Sequence, residues 1–97
     1  NPYIALAAAL ATGLWGIEQQ LECPPMVVGS AYDNPGAAQA LPGTLAEATA
    51  RFASSEIAKQ LFGEPFVEHF AATRDWEDRL YRRHVSDWDL ARYFEII

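Results

Sequence analysis

Residues 1–21 form an apolar segment with the features of a helix start. Asn1 is a favourable N-cap residue, and Pro2 suits the first helical position, where no N–H group is needed. From Tyr3 to Ile17 alanine and leucine predominate, so the predicted helix is apolar nearly all round. We predict that this helix is buried on most sides. The other residues of the chain are too few to surround it, so we expect the sequence to be part of a longer protein.

Residues 22–43 are predicted to form a long loop. A loop of about twenty residues is unusual in a compact domain, so it is either functional or lies across a larger body. Proline and glycine residues interrupt regular structure along its whole length: Pro24, Pro25, Gly29, Pro35, Gly36, Pro42 and Gly43.

Residues 44–97 return to a helical pattern. The spacing predicts a long helix from Pro65 to His84 and a last helix from about Asp87 to Glu95. No strand pattern is evident, so the predicted fold class is mainly α, with few or no strands. Predicted helix caps are Thr44 with Glu47, Ser54 or Ser55, and Ser86 with Asp89. The predicted buried stripe of the long helix weakens at Glu77, has Val67, Trp76 and Tyr81 beside it, and comprises Phe66, Phe70, Thr73, Glu77, Leu80 and His84. Side chains expected to face water include Asp75, Asp78, Arg79 and Arg82, and the pairs Asp75–Arg79 and Asp78–Arg82 have an i,i+4 spacing that favours a helix.

The charge of the chain is unevenly distributed. Seven Lys and Arg against thirteen Asp and Glu give a net charge of -6, and no cation precedes Arg51. Nucleic acid and anionic membrane surfaces are therefore not expected as partners, because both require clustered cations. The apolar run is interrupted by Thr12 and ended by Glu18, so it is too short to span a membrane. No basic region precedes it, as a secretory signal would require, and we expect a cytoplasmic protein.

The residues with chemical potential are few and scattered. His69 and His84 would lie about 22 Å apart along one straight helix, so they could not share a metal ion. Cys23 excludes an intramolecular disulfide, and no basic residue near it in sequence would activate its thiol. No glycine-rich phosphate loop is present. A small metal-dependent enzyme using His69 or His84 is nevertheless kept as an alternative function.

Aromatic and apolar residues are concentrated near the C-terminus. Apolar chain ends that dock on a protein surface remain ordered, and aromatic residues are common interface anchors. A stand-alone helical interaction module, using this end as its binding face, is therefore a second alternative. Packing within the chain's own core is the simpler explanation of the same residues. The proposed interface residues are Trp88, Tyr93, Phe94, Ile96 and Ile97.

Several stretches, taken in order, resemble one enzyme family. Asn1 to Glu18 reads Asn-Pro-Tyr, an Ala/Leu helix and Gly-Leu-Trp-Gly-Ile-Glu, and Leu41 to Ala48 reads Leu-Pro-Gly-Thr-Leu-Ala-Glu-Ala. Leu61 to Val67 contains Phe-Gly-Glu-Pro-Phe-Val, and Val85 to Asp89 reads Val-Ser-Asp-Trp-Asp, followed by Arg-Tyr at 92–93. These stretches are similar to the C-terminal part of the catalytic domain of glutamine synthetases and gamma-glutamyl-amine ligases.

The resemblance implies a ligase chemistry for the parent protein. Enzymes of this family phosphorylate the side-chain carboxylate of glutamate with ATP, using Mg or Mn, and ammonia or an amine then displaces phosphate. The family's metal and substrate ligands lie upstream of the element that matches Asn1–Tyr3. No catalytic, cofactor-binding or metal-binding residue is therefore assigned here, and residues 1–97 alone are expected to be inactive. The implied partners are the rest of the catalytic domain and other subunits of a dodecamer.

Two regions of the chain acquire possible roles from the resemblance. Tyr32 lies where some bacterial glutamine synthetases carry an adenylylated tyrosine, although its flanking residues differ from those of that subgroup. Tyr32 is thus a possible modification site, and the alternative is a loop anchor. The family's C-terminal helix docks on a subunit of the opposite ring, and the aromatic C-terminus suits that role.

Overall fold

The computed structural model describes residues 1–30, 32, 40–94 and 96, which form an all-helical structure without strands. The prediction of a mainly α fold is confirmed. The chain divides into two compact units, Asn1–Leu41 and Pro42–Ile97. The helices are α1 (Pro2–Glu18), α2 (Leu45–Ala53), α3 (Glu56–Phe62), α4 (Glu64–Arg83) and α5 (Asp87–Tyr93).

Helix α1 of the first unit has well-formed ends. The Asn1 side chain accepts a hydrogen bond from the Tyr3 N–H at 3.0 Å, which confirms the predicted N-cap. At the other end, the Gln20 N–H donates to the Ile17 carbonyl at 3.0 Å, and the Leu21 N–H donates to the Gly16 carbonyl at 3.0 Å. This is the Schellman pattern, which requires a left-handed residue after the cap. Gln20 occupies that position with φ 53°, where glycine is the usual residue.

The apolar residues of α1 lie on two faces. No residue of this helix is buried within the chain. Ile4, Ala8, Ala11 and Trp15 follow one another at spacings of four and three and are half-buried. The other face, here called the outer row, carries larger side chains that are 53–81% exposed: Tyr3, Leu6, Leu10, Leu14 and Ile17.

The second unit is built around α4. Helices α2 and α3 both pack against it. The Phe52 ring of α2 lies edge-on to the Phe70 ring of α4, with centroids 5.6 Å apart, and Phe66 stacks on Phe70 at 5.7 Å. Thr44 and Leu45, at the start of α2, line a cleft together with residues near the end of α4. Helix α2 therefore runs antiparallel to α4. The small core of the unit comprises Ala58, Val67 and Ala71.

The packed side of α4 differs from the predicted stripe. It passes through Val67 and Ala71, which are buried, and continues to Asp78, whose side chain is only 15% exposed. Glu77 is exposed, and Leu80 remains 44% exposed, so the predicted stripe was rotated too far around the helix. A carboxylate can lie on the packed side because its charge is balanced within the helix. The Arg82 Nε donates to Asp78 Oδ2 at 2.6 Å.

Local hydrogen bonds define where the helices of the second unit begin. The Thr44 hydroxyl accepts from the Glu47 N–H at 3.2 Å, while the Glu47 carboxylate accepts from the Gly43 N–H at 2.9 Å. Of the two predicted caps for α3, Ser55 is the one used, because its hydroxyl accepts from the Ala58 N–H at 3.1 Å. These caps satisfy N–H groups that have no partner within a helix.

Arg74 lies on α4 between the buried Ala71 and the half-buried Asp78. Its guanidinium carbon is 5.4 Å from the centroid of the Phe70 ring, a cation–π distance. The Arg74 Nε is buried and has no hydrogen-bond partner. Two other arginines of this helix do have carboxylate partners. Arg79 binds Asp75 at 2.9 Å, and Arg82 binds Asp78.

Candidate assembly surface

The C-terminal helix α5 is held by a reciprocal capping box. The Ser86 hydroxyl accepts from the Asp89 N–H at 3.2 Å and donates to Asp89 Oδ2 at 2.6 Å, and Asp89 Oδ2 accepts from the Ser86 N–H at 3.1 Å. Hydrogen bonds from the Ser86 hydroxyl and N–H lower the pKa of the Asp89 carboxyl. The predicted cap is therefore confirmed, and it fixes the start of a helix of only seven residues.

Helix α5 carries large apolar side chains that are open to solvent. The Trp88 and Tyr93 rings meet edge-on, with centroids 6.0 Å apart, so these two rings are ordered against each other. Phe94 and Ile96 follow at 80% and 69% exposure and border a shallow cleft with Leu90. We call Trp88, Leu90, Tyr93, Phe94 and Ile96 the C-terminal patch.

The C-terminal patch contains four of the five residues predicted as interface anchors. Ile97, the fifth, lies outside the described residues. Trp88 and Tyr93 are 66% and 52% exposed, so neither fills a core of the second unit. An exposed group of this kind gains stability when another protein surface covers it. Its use in assembly remains a prediction.

Tyr32 is 99% exposed. Its N–H donates to the Ser30 hydroxyl at 3.3 Å. Gly29, which directly precedes Ser30, has φ 91°. The residues on both sides of Tyr32 are outside the described part of the chain. The side chain is accessible to a modifying enzyme in the described part of the chain, and its alternative role as a loop anchor stays a prediction. Modification itself remains a prediction.

The described residues contain no group of three or more His, Cys, Asp and Glu side chains that could hold a metal ion. His69 and His84 are exposed, and Cys23 is an exposed free thiol. The described side chains therefore do not form a ligand set for a divalent cation. Within 1–30, 32, 40–94 and 96, no helix is long and apolar enough to cross a membrane.

Two features of the second unit escaped the sequence analysis. The placement of Asp78 on the packed side depends on Arg82, and the i,i+4 spacing of this pair was the available signal. Arg74 gave no signal, because its surroundings depend on where α2 crosses α4.

The structure thus defines an all-helical element with two exposed apolar surfaces, the outer row of α1 and the C-terminal patch. Residues 1–93 match the family described as glutamine synthetase, catalytic domain. The chain belongs to this family. No solved structure matches the chain.

Several characterised relatives align with nearly the whole chain. It is 45% identical to type-1 glutamine synthetase 2 of Dictyostelium discoideum, covering 100% of this chain and 19% of that protein. It is 42% identical to glutamate–isopropylamine ligase of a Pseudomonas species, covering 100% of this chain and 21% of that protein. It is 41% identical to gamma-glutamylethanolamide synthetase of Streptomyces coelicolor, covering 98% of this chain and 20% of that protein. The chain therefore spans about a fifth of the length of these relatives.

Proposed function

We propose that residues 1–97 are the C-terminal helical part of the catalytic domain of an ATP-dependent ligase. The parent protein joins the side-chain carboxylate of glutamate to ammonia or a primary amine. The single observation that supports this proposal most is the family match over residues 1–93. The names of the relatives support the open choice of nucleophile, since they include a glutamine synthetase, an isopropylamine ligase and an ethanolamide synthetase.

The proposed reaction has two steps. The glutamate carboxylate takes the terminal phosphoryl group of ATP and becomes an acyl phosphate, and the nitrogen nucleophile then displaces phosphate to form an amide. In the parent, residues outside this chain would bind ATP and Mg or Mn. A cytoplasmic location is part of the same proposal.

An activity assay on the purified parent tests the reaction. Glutamate, ATP and Mg are supplied with ammonia, isopropylamine or ethanolamine, and both phosphate release and the amide mass are measured. Nitrogen-dependent phosphate release with a matching amide supports the ligase and identifies its nucleophile. If none of the three nucleophiles gives an amide, this assignment fails. An intact native subunit of about 10.8 kDa would instead favour the stand-alone interaction module.

Helix α1 is proposed to support the rest of the catalytic domain through its outer row. Leu10, near the middle of that row, is 67% exposed within this chain. Full burial of a leucine contributes roughly 1.5–3 kcal/mol, so the outer row would add substantially to the stability of the parent. Leu10→Gln should lower the melting temperature of the parent, whereas Leu10→Met should change it little, because the methionine nearly conserves side-chain volume. Equal melting temperatures for both variants would contradict a supporting role for α1.

The C-terminal patch is proposed to join subunits into a homo-oligomer, with a dodecamer as the expected assembly. Phe94 and Tyr81 make a matched pair of exposed aromatic residues, 80% and 77% exposed, of which only Phe94 belongs to the patch. Phe94→Ala should reduce the oligomer mass of the parent in sedimentation experiments, and Tyr81→Ala should leave it unchanged. An intact oligomer in the Phe94 variant would count against the patch as the contact surface.

A further inference from the structure

Arg74 is a cation of α4 that forms no ion pair with the described residues, although part of its guanidinium is buried. The Phe70 ring supports its guanidinium at 5.4 Å, and that ring is fixed in turn by Phe66 and Phe52. The Nε is buried without a hydrogen-bond partner. The two terminal nitrogens also make no hydrogen bond in the described chain, and they are the donors that an incoming group can reach. The aromatic contacts thus hold a charged fork in place before any partner arrives.

Two nearby carboxylates of α4 are already paired, and a third, Glu77, is exposed and forms no ion pair with Arg74. Asp78, one turn further along the helix, binds Arg82 at 2.6 Å, and Asp75 binds Arg79 at 2.9 Å. A partly buried guanidinium without a counter-charge is unfavourable, because it has lost water without gaining an acceptor. Retaining an arginine here is therefore explained best by an acceptor that the described residues do not supply.

We propose that Arg74 binds a carboxylate side chain of the parent protein that lies outside residues 1–97. A guanidinium presents two parallel N–H donors, which match the two oxygens of a carboxylate. A phosphate fits less well, because its larger charge would exceed the single positive charge of Arg74 in a partly buried site. About four-fifths of the length of the relatives lies outside the residues matched here, so most candidate acidic partners lie there too.

The proposal concerns how α4 is attached to the parent, and it goes beyond the proposed ligase reaction. It relies on the proposed function only in requiring that the parent contains further residues. The two can fail separately, because amide formation and the Arg74 contact are read by different experiments.

Carbodiimide cross-linking of the full-length parent carrying Arg74→Lys identifies the partner. The reagent activates a carboxylate, and a neighbouring lysine amine displaces the resulting urea to form an amide. Mass spectrometry should find a link from position 74 to an Asp or Glu outside residues 1–97. Lys59 is the natural internal control, because its Nζ lies 2.9 Å from the Glu56 carboxylate.

Two results would overturn the proposal. One is a link from position 74 only to an acid within residues 1–97, such as Asp78. The other is no link at position 74 in a sample where the Lys59–Glu56 link has formed.

A second variant tests the proposal independently of Arg74→Lys, because the lysine side chain is shorter than that of arginine. Arg74→Met keeps an apolar stem over Phe70 and removes the charge. If a carboxylate binds Arg74, this variant lowers the melting temperature of the parent more than Arg79→Met does, because Arg79 forms an exposed pair of small value. A melting temperature equal to or above that of the unmodified parent would contradict the proposal, since removal of an unpaired buried donor costs nothing.

Discussion

Ser86→Ala tests whether the order of α5 controls assembly. The substitution removes the hydroxyl that accepts from the Asp89 N–H at 3.2 Å and donates to Asp89 Oδ2 at 2.6 Å. Helix α5 has only seven residues, so it depends strongly on its cap. Its disorder would separate Trp88 and Tyr93, the two rings that meet at 6.0 Å in the C-terminal patch.

The expected magnitude follows from the value of an N-cap. Replacing a capping serine by alanine costs about 1 kcal/mol, which corresponds to roughly a fivefold change in the helix–coil equilibrium. If only the helical form of α5 docks, the apparent affinity between subunits falls by up to the same factor of about five for each contact. Several equivalent contacts in one oligomer would multiply this effect.

Sedimentation of the full-length parent over a concentration series measures the effect. We expect Ser86→Ala to dissociate at higher protein concentration than the unmodified parent, and Ser86→Thr to behave like the unmodified parent because threonine also caps. Ser54→Ala is the matched control, since the Ser54 hydroxyl donates to the Ala50 carbonyl and caps no helix start. Equal dissociation of the Ser86→Ala and Ser54→Ala variants would refute the link between cap and assembly.

The remaining predictions concern single positions in the folded chain. Val67 is 1% exposed, so Val67→Ala should lower the free energy of unfolding by about 2–3 kcal/mol in urea titrations, against little change for Val28→Ala, which is 82% exposed. Gln20→Gly should stabilise the end of α1 by up to about 1 kcal/mol, and a lower melting temperature would contradict the assigned left-handed strain. The pKa of Asp89 is lower in the folded chain than its ordinary value of 3.8, so the ionised carboxylate stabilises α5 above pH 3.8. This stabilisation is lost as the pH falls below 3.8 and through the lower pKa of the folded chain. Helicity of Asp89→Asn should lack that acid transition, and an unchanged pH profile would exclude Asp89 as its source.

The sequence predicts local structure well because local hydrogen bonds determine it. Asn1, Thr44 and Ser86 all cap helices as their residue types indicate, and the Asp75–Arg79 and Asp78–Arg82 pairs form as their spacing indicates. Each of these interactions spans at most four residues. The family resemblance was equally accessible, because its motifs consist of short ordered stretches.

The rotation of α4 could not be predicted with the same success. Phe66 and Leu80 are more apolar than Asp78, so periodicity alone places them inside. The observed orientation instead brings Val67 and Ala71 to the small core, because α2 crosses α4 beside Phe70. Arg82 then neutralises Asp78 at the end of the packed side. Contacts between helices decide such choices, and a single helix pattern does not contain them.

The two apolar faces of α1 have a consequence for the order of folding. Helices α2 and α3 contact α4 over short sequence separations, and contacts of this kind form rapidly. If the outer row of α1 docks on other residues of the parent, as proposed, it stays exposed until that contact forms, because the described chain leaves its side chains 53–81% exposed. During that interval an exposed leucine-rich row is a binding site for chaperones and a nucleus for aggregation. We therefore expect the yield of parent protein, and not only its final stability, to depend on how soon α1 is covered.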